Sequence, residues 1–135
     1  MKRLFQFPVF VGLALLAGCA EDNLGAWGLE VEVRDARTGA PAAYDATVVV
    51  RDGSYADTVR GRDQIIPEHK GQDAVVRAAF QRTGTFHVTV LHPEYRTWQR
   101  EDVRVSAGRS ANPVGGDPIP STVRVVAGLE RPDGR

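Results

Sequence analysis

Cysteine occurs once in the 135 residues, at Cys19, so no disulfide can form within the chain and its fold must be held by packing. Histidine is nearly as scarce: His69, His87 and His92 stand apart, with no His-x-His, no His-Glu-x-x-His and no cysteine partner. That removes the local ligand spacing by which zinc sites are recognised. Charge of one sign is not in excess, with 17 basic against 17 acidic residues. Binding to a phosphate backbone needs a basic surface, so this balance speaks against a nucleic-acid partner. Long hydrophobic runs are missing as well. The one apolar stretch, residues 4–17, is interrupted by Gln6 and Pro8 and falls short of the about 20 residues that a membrane-spanning helix needs.

What is present begins at the amino terminus. Lys2 and Arg3 precede an apolar segment containing Phe5, Phe7, Val9, Phe10, Val11, Leu13, Leu15 and Leu16, which ends in Ala17-Gly18-Cys19. A basic start, an apolar middle and small residues at the end form the grammar of a cleaved secretory signal, predicted over residues 1–18. Removing 18 residues from 135 leaves 117, with 15 basic and 17 acidic side chains, enough for one core and no second domain.

The tetrapeptide Leu16-Ala17-Gly18-Cys19 resembles the lipobox of bacterial lipoprotein precursors. The resemblance implies a thioether-linked diacylglycerol on Cys19 and, commonly, a further acyl chain on its new amino group. Each buried methylene contributes roughly 0.8 kcal/mol, so two or more chains anchor a protein stably to a membrane. Ala20, rather than Asp, follows the cysteine, and in the enterobacterial sorting pattern this implies the outer membrane over the inner one. Residues 19–26 then form a lipidated tether, residues 27–130 the folded domain, and residues 131–135 a fraying tail.

Within the domain, Leu29, Val31 and Val33 alternate with Glu30, Glu32 and Arg34, the period-two signature of a strand with one buried face. The segment from Asp35 to Pro41 holds Thr38, Gly39 and Pro41 and reads as a turn. The β-branched run 46–50 stops at Asp52-Gly53, a short-turn signal. A weaker strand is predicted over residues 55–59, then a polar connection over 61–72 with Ile65-Ile66 as a hydrophobic plug, and a strand over 74–80. Phe86, Val88 and Val90 alternate with His87, Thr89 and Leu91 until Pro93 ends the pattern. Residues 95–98 and 103–105 suggest one bent strand or two short ones. Three Gly and three Pro mark residues 106–120 as a long irregular loop, ahead of a last strand at 122–127. About seven strands, with no convincing helix after residue 18, predict an all-β antiparallel β-sandwich.

The order of Asp35-x-x-Thr38-Gly39-x-Pro41, Ala46-x-Val48, Gly84-x-Phe86-x-Val88-x-Val90 and Pro93-x-Tyr95 resembles the carboxypeptidase regulatory-like domains, small Ig-like or transthyretin-like sandwiches. The match covers most of residues 27–106 and departs from the family at Glu94, where glycine is usual. It implies a fold rather than an activity. Tyr95 is expected to dock its ring in the core with its hydroxyl bonded to backbone, as in a tyrosine corner. Hydrolases of the transthyretin-like fold end in Tyr-Arg-Gly-Ser, whereas this sequence ends Arg131-Pro132-Asp133-Gly134-Arg135.

No catalytic residue, metal ligand or cofactor is predicted. Ser54, Ser106, Ser110 and Ser121 lie in turns or loops without a Gly-x-Ser-x-Gly elbow, and Asp52, Asp57 and Asp63 lack the dense spacing of a calcium loop. Trp27, Tyr44, Tyr55 and Trp98 form the candidate binding surface, because aromatics dominate sugar and peptide contacts; core or edge packing is the competing reading. The expected function is a non-catalytic binding or assembly module of the cell envelope, with another envelope protein or a glycan as partner. The alternatives are a small hydrolase or metal-dependent enzyme assembled from distant His and Asp residues, and a structural spacer without a ligand.

Overall fold

A computed structural model of the chain describes residues 26–108 and 119–133. Leu16, Ala17, Gly18 and Cys19, the expected tether up to residue 25, Ser110 and residues 109–118 of the expected loop lie outside the described residues.

Among the described residues, seven strands form two packed sheets. β1 (Trp27–Asp35) lies between β4 (Val75–Phe80) and β7 (Val123–Leu129) in a three-stranded sheet. The second sheet has the order β3 (Tyr55–Arg60), β2 (Thr47–Asp52), β5 (Gly84–Leu91), β6 (Trp98–Val105). The alternation legible in the sequence sets the inner faces. Leu29, Val31 and Val33 of β1 meet Val48 and Val50 of β2 and Phe86, Val88 and Val90 of β5 in one core, closed by Val76, Val105, Val125 and Leu129. β-Branched valine fits a pleated, half-buried surface, and each such side chain contributes about 1.5–3 kcal/mol when fully buried. Phe86 is the largest of the fully buried side chains.

The sandwich is antiparallel except at one pair: β7 runs parallel to β1, with Leu29 opposite Val123 and Val33 opposite Ala127. The reason lies in the connection after β6. That strand ends at the pole where β1 begins and β7 starts from the same pole in the other sheet, so β7 runs beside β1 in the same direction.

Other details also correct or sharpen the sequence reading. The connection over 61–72 is the expected loop, and within it lie a single helical turn, α1 (Gly61–Gln64), and a 3₁₀ turn (Pro67–His69). Of the expected plug only Ile65 is buried; Ile66 is half exposed. Gly61 permits the turn because a Cβ there would fall on the Ala43 carbonyl oxygen. Tyr95, Arg96 and Thr97 belong to the irregular connection after the Pro93-Glu94 turn rather than to a strand, and β6 is one strand whose register with β5 shifts between Phe86 and Val88, with Asp102 at a φ of 58°. The last strand reaches two residues beyond the expected end, to Leu129. No helix among the described residues is long and apolar enough to cross a membrane.

Candidate functional site

The registers divide the domain into two poles. Trp27, the Asp52–Tyr55 hairpin, Phe80 and Gly84 lie at the pole where the chain enters, and Asp35, Thr47, Arg60, Leu91 and Trp98 lie at the opposite one. β1 spans the distance between them, about 26 Å at 3.3 Å per residue. The four aromatic residues proposed as one surface are therefore split. Trp27 and Tyr55 sit at the entry pole and Tyr44 and Trp98 at the far pole, all of them partly buried. Tyr55, Tyr44 and Trp98 pack against the core.

The far pole is built around Asp35, the one buried charged residue among those described. Its position continues the inward phase of Leu29, Val31 and Val33, which brings a carboxylate to a core-facing site that needs partners. The partners are present. Oδ1 accepts the backbone N–H groups of Arg37 (2.8 Å) and Thr38 (2.9 Å), and Oδ2 accepts the Tyr95 hydroxyl (2.8 Å). Gly39, at a φ of 73°, lets the chain turn back within that Asx motif. The Thr38 N–H and the Tyr95 hydroxyl, with help from the Arg37 N–H, lower the Asp35 pKa to about 2. The expected tyrosine corner thus takes another form, since the Tyr95 hydroxyl donates to a carboxylate rather than to backbone. Burial, with the Asp35 charge adding to it, raises the phenol's pKa, so it remains a neutral donor.

Arg131 lies over the Tyr95 ring, 5.0 Å from its centroid, with Nε 3.7 Å from Asp35 Oδ2. Arg96 donates from its backbone to Glu130 O and from Nη2 to Pro132 O, both at 2.8 Å. These arginines and Arg37 line a hollow of about 320 Å³ with Asp35 and Glu130. A second, ionic hollow adjoins Tyr95. Asp45 accepts Lys70 Nζ (3.0 Å) and Arg62 Nη2 (3.3 Å), and both cations lie over the Tyr44 ring. The Lys70 hydrogen bond holds the Asp45 pKa below its ordinary value. His92 lies beside them. Its Nδ1 accepts the Glu94 N–H at 3.1 Å, and burial lowers its pKa, which keeps the ring neutral.

The other candidates stay apart. His69 pairs with Asp73 (3.4 Å) and His87 with Glu101 (3.7 Å). Asp57 accepts the Ala79 N–H and Asp63 pairs with Arg60. Ser54 is in the β2–β3 turn, and Ser106 and Ser121 flank the isolated bridge between Ala107 and Pro120. No three His, Cys, Asp or Glu among the described residues are placed to hold a metal ion.

The entry pole has a different construction. Trp27 and Phe80 are register partners whose rings meet edge to face, 5.0 Å apart. The end of β4 and the turn after it hold Ala79 and Gln81 at φ values of 55° and 54°, a conformation that costs non-glycine residues on the order of 1–3 kcal/mol each. Three hydrogen bonds keep it there: Ala79 N–H to Asp57 Oδ2, Gln81 N–H to Ala26 O and Arg82 N–H to Ala79 O. Gly28 makes room, because a Cβ on it would lie 2.6 Å from Arg82 O. The turn leaves Ala78 and Ala79 buried and Phe80 48% exposed. The Arg82 guanidinium lies 4.2 Å from the Tyr55 ring centroid.

Sequence reasoning missed Asp45, Lys70, Arg96 and Arg131 because the far pole gathers them from separate loops. The usable signal was Asp35, an acid in phase with core residues. No protein-family model matches this sequence, and neither the characterised proteins nor the solved structures compared with it include a match.

Proposed function

We propose that the chain is a lipid-anchored protein of the bacterial cell envelope, and that its sandwich, of the carboxypeptidase regulatory-like kind, is a non-catalytic binding or assembly module. The observation that carries this reading is the tetrapeptide Leu16-Ala17-Gly18-Cys19, standing where a basic and then apolar leader ends and eight residues before β1 begins. The absence of Asp after Cys19 favours the outer membrane. The far pole supports the binding part. It lies at the end of the sandwich opposite Trp27, carries hollows bordered by fixed guanidinium, ammonium and carboxylate groups, and holds Tyr44 and Trp98 at the same pole. Such groups recognise charged and hydroxylated surfaces of another envelope protein or a glycan. Tyr95 and His92, both neutral and hydrogen-bonded, orient the loops rather than transfer protons.

Metabolic labelling with palmitate, using Cys19→Ala as control, tests the anchor. Label that enters the wild type and is absent from the variant is the expected outcome. An unlabelled wild type would reject the lipoprotein reading.

A further inference from the structure

The two poles differ in a way that bears on how an anchored domain sits on its membrane. We infer that the entry pole of the sandwich rests on the lipid headgroups, with Trp27 and Phe80 at the interface and Arg82 facing lipid phosphate. The inference rests on the lipid anchor at Cys19 and adds an orientation to it.

Length supplies the first argument. Only residues 20–26 separate Cys19 from Trp27, and seven residues span at most about 25 Å when fully extended. The entry pole is therefore held within reach of the surface, while β1 carries the far pole outwards. Chemistry supplies the second. Tryptophan and other aromatic side chains favour the headgroup level, where an apolar ring and a polar edge are both accommodated. Phe80 is the only aromatic among the half-exposed large apolar side chains of the described residues, and it lies against Trp27. Arg82, exposed at the same turn, offers the positive charge that anionic lipid attracts. Of the acids beside the turn, Asp57 is engaged by the Ala79 N–H and Asp52 faces Gly84.

The display of Phe80 is also built into the backbone. Ala79 and Gln81 are held at positive φ by three hydrogen bonds and by the vacancy at Gly28, and this backbone turns Phe80 out of the core. By contrast, the outer face of the three-stranded sheet carries an ion-pair ladder in which Glu30 faces Arg124 at 2.7 Å and Arg77 at 3.9 Å.

The chain contains two tryptophans, one at each pole, which act as reporters. The full-length gene is expressed, and the processed protein is reconstituted into vesicles of phosphatidylglycerol and brominated phosphatidylcholine, whose bromine quenches indole on contact. Trp98→Phe leaves Trp27 as the only emitter, and Trp27→Phe leaves Trp98. Tyrosine replaces phenylalanine where a variant does not fold. Flotation with the vesicles and the mass of the Cys19 peptide report the anchor independently. Anchored protein in which Trp27 loses several-fold more emission than Trp98 is the expected result, with Phe80→Ser reducing that loss. Anchored protein with equal quenching, or with Trp98 quenched more, would overturn the orientation and leave the anchor standing. Protein without lipid that does not float would overturn both.

Discussion

The far pole and the entry pole close the same sandwich by different means. At the far pole a buried carboxylate, Asp35, gathers two backbone N–H groups and a phenol, and arginines from separate loops surround it. At the entry pole an aromatic pair caps β1 and β4, and a strained turn is fixed mainly by backbone bonds. The first arrangement places fixed charges around open hollows, and the second presents ring surface beside one arginine. Under the proposed anchoring, that asymmetry would give the domain an apolar end for lipid and a charged end for a partner.

The largest expected effect tests the core that both poles share. Phe86→Ala removes the largest fully buried ring, against whose edge Tyr55 packs, and should cost about 3–5 kcal/mol in chemical denaturation. Next comes the entry pole. In Gly28→Ala the new methyl meets the Arg82 and Ala79 carbonyl oxygens, 2.6 and 2.9 Å from its position, and should cost about 1–3 kcal/mol. Its Trp27 emission should shift while the pH dependence of stability stays as in the wild type, which separates the poles.

The far pole answers to acid. Asp35 has a folded pKa of about 2, below its ordinary 3.8, so the folded state binds this proton less readily than the unfolded one. Its contribution is complete above the ordinary value and disappears as pH falls from there through about 2. Asp35→Asn should therefore flatten the fall of Tm between pH 4 and pH 2, whereas Gly28→Ala should not. Smallest of all is Arg60→Ala. Its partner Asp63 is exposed, as Arg60 is, so the change should cost ~0.5 kcal/mol or less in the same denaturation experiment.

Much of the fold was legible because it depends on periodicity. Leu29, Val31 and Val33, like Phe86, Val88 and Val90, alternate so regularly that only a half-buried strand accommodates them. The parallel pairing of β7 was not legible, since it depends on the pole at which the chain changes sheets rather than on any residue within the strand. Nor was the β4–β5 turn. Alanine and glutamine do not announce positive φ, and Ala79 and Gln81 adopt it only because Asp57, Ala26 and Gly28 come from elsewhere to hold them. The four aromatics were legible as residues and not as an arrangement, because strand direction sends Trp27 and Trp98 to opposite ends. The charged hollows at the far pole escaped for a related reason: no local motif joins Asp35, Asp45, Lys70, Arg96 and Arg131.

The anchor and the orientation both depend on the covalent state of Cys19, and mass spectrometry of the amino-terminal peptide from membrane-extracted protein tests it most directly. A peptide that begins at Cys19 and carries the mass of a diacylglyceryl group, with or without a further acyl chain, is the predicted result. A peptide with unmodified Cys19, or with a mature terminus elsewhere, would contradict the anchor and the orientation built on it.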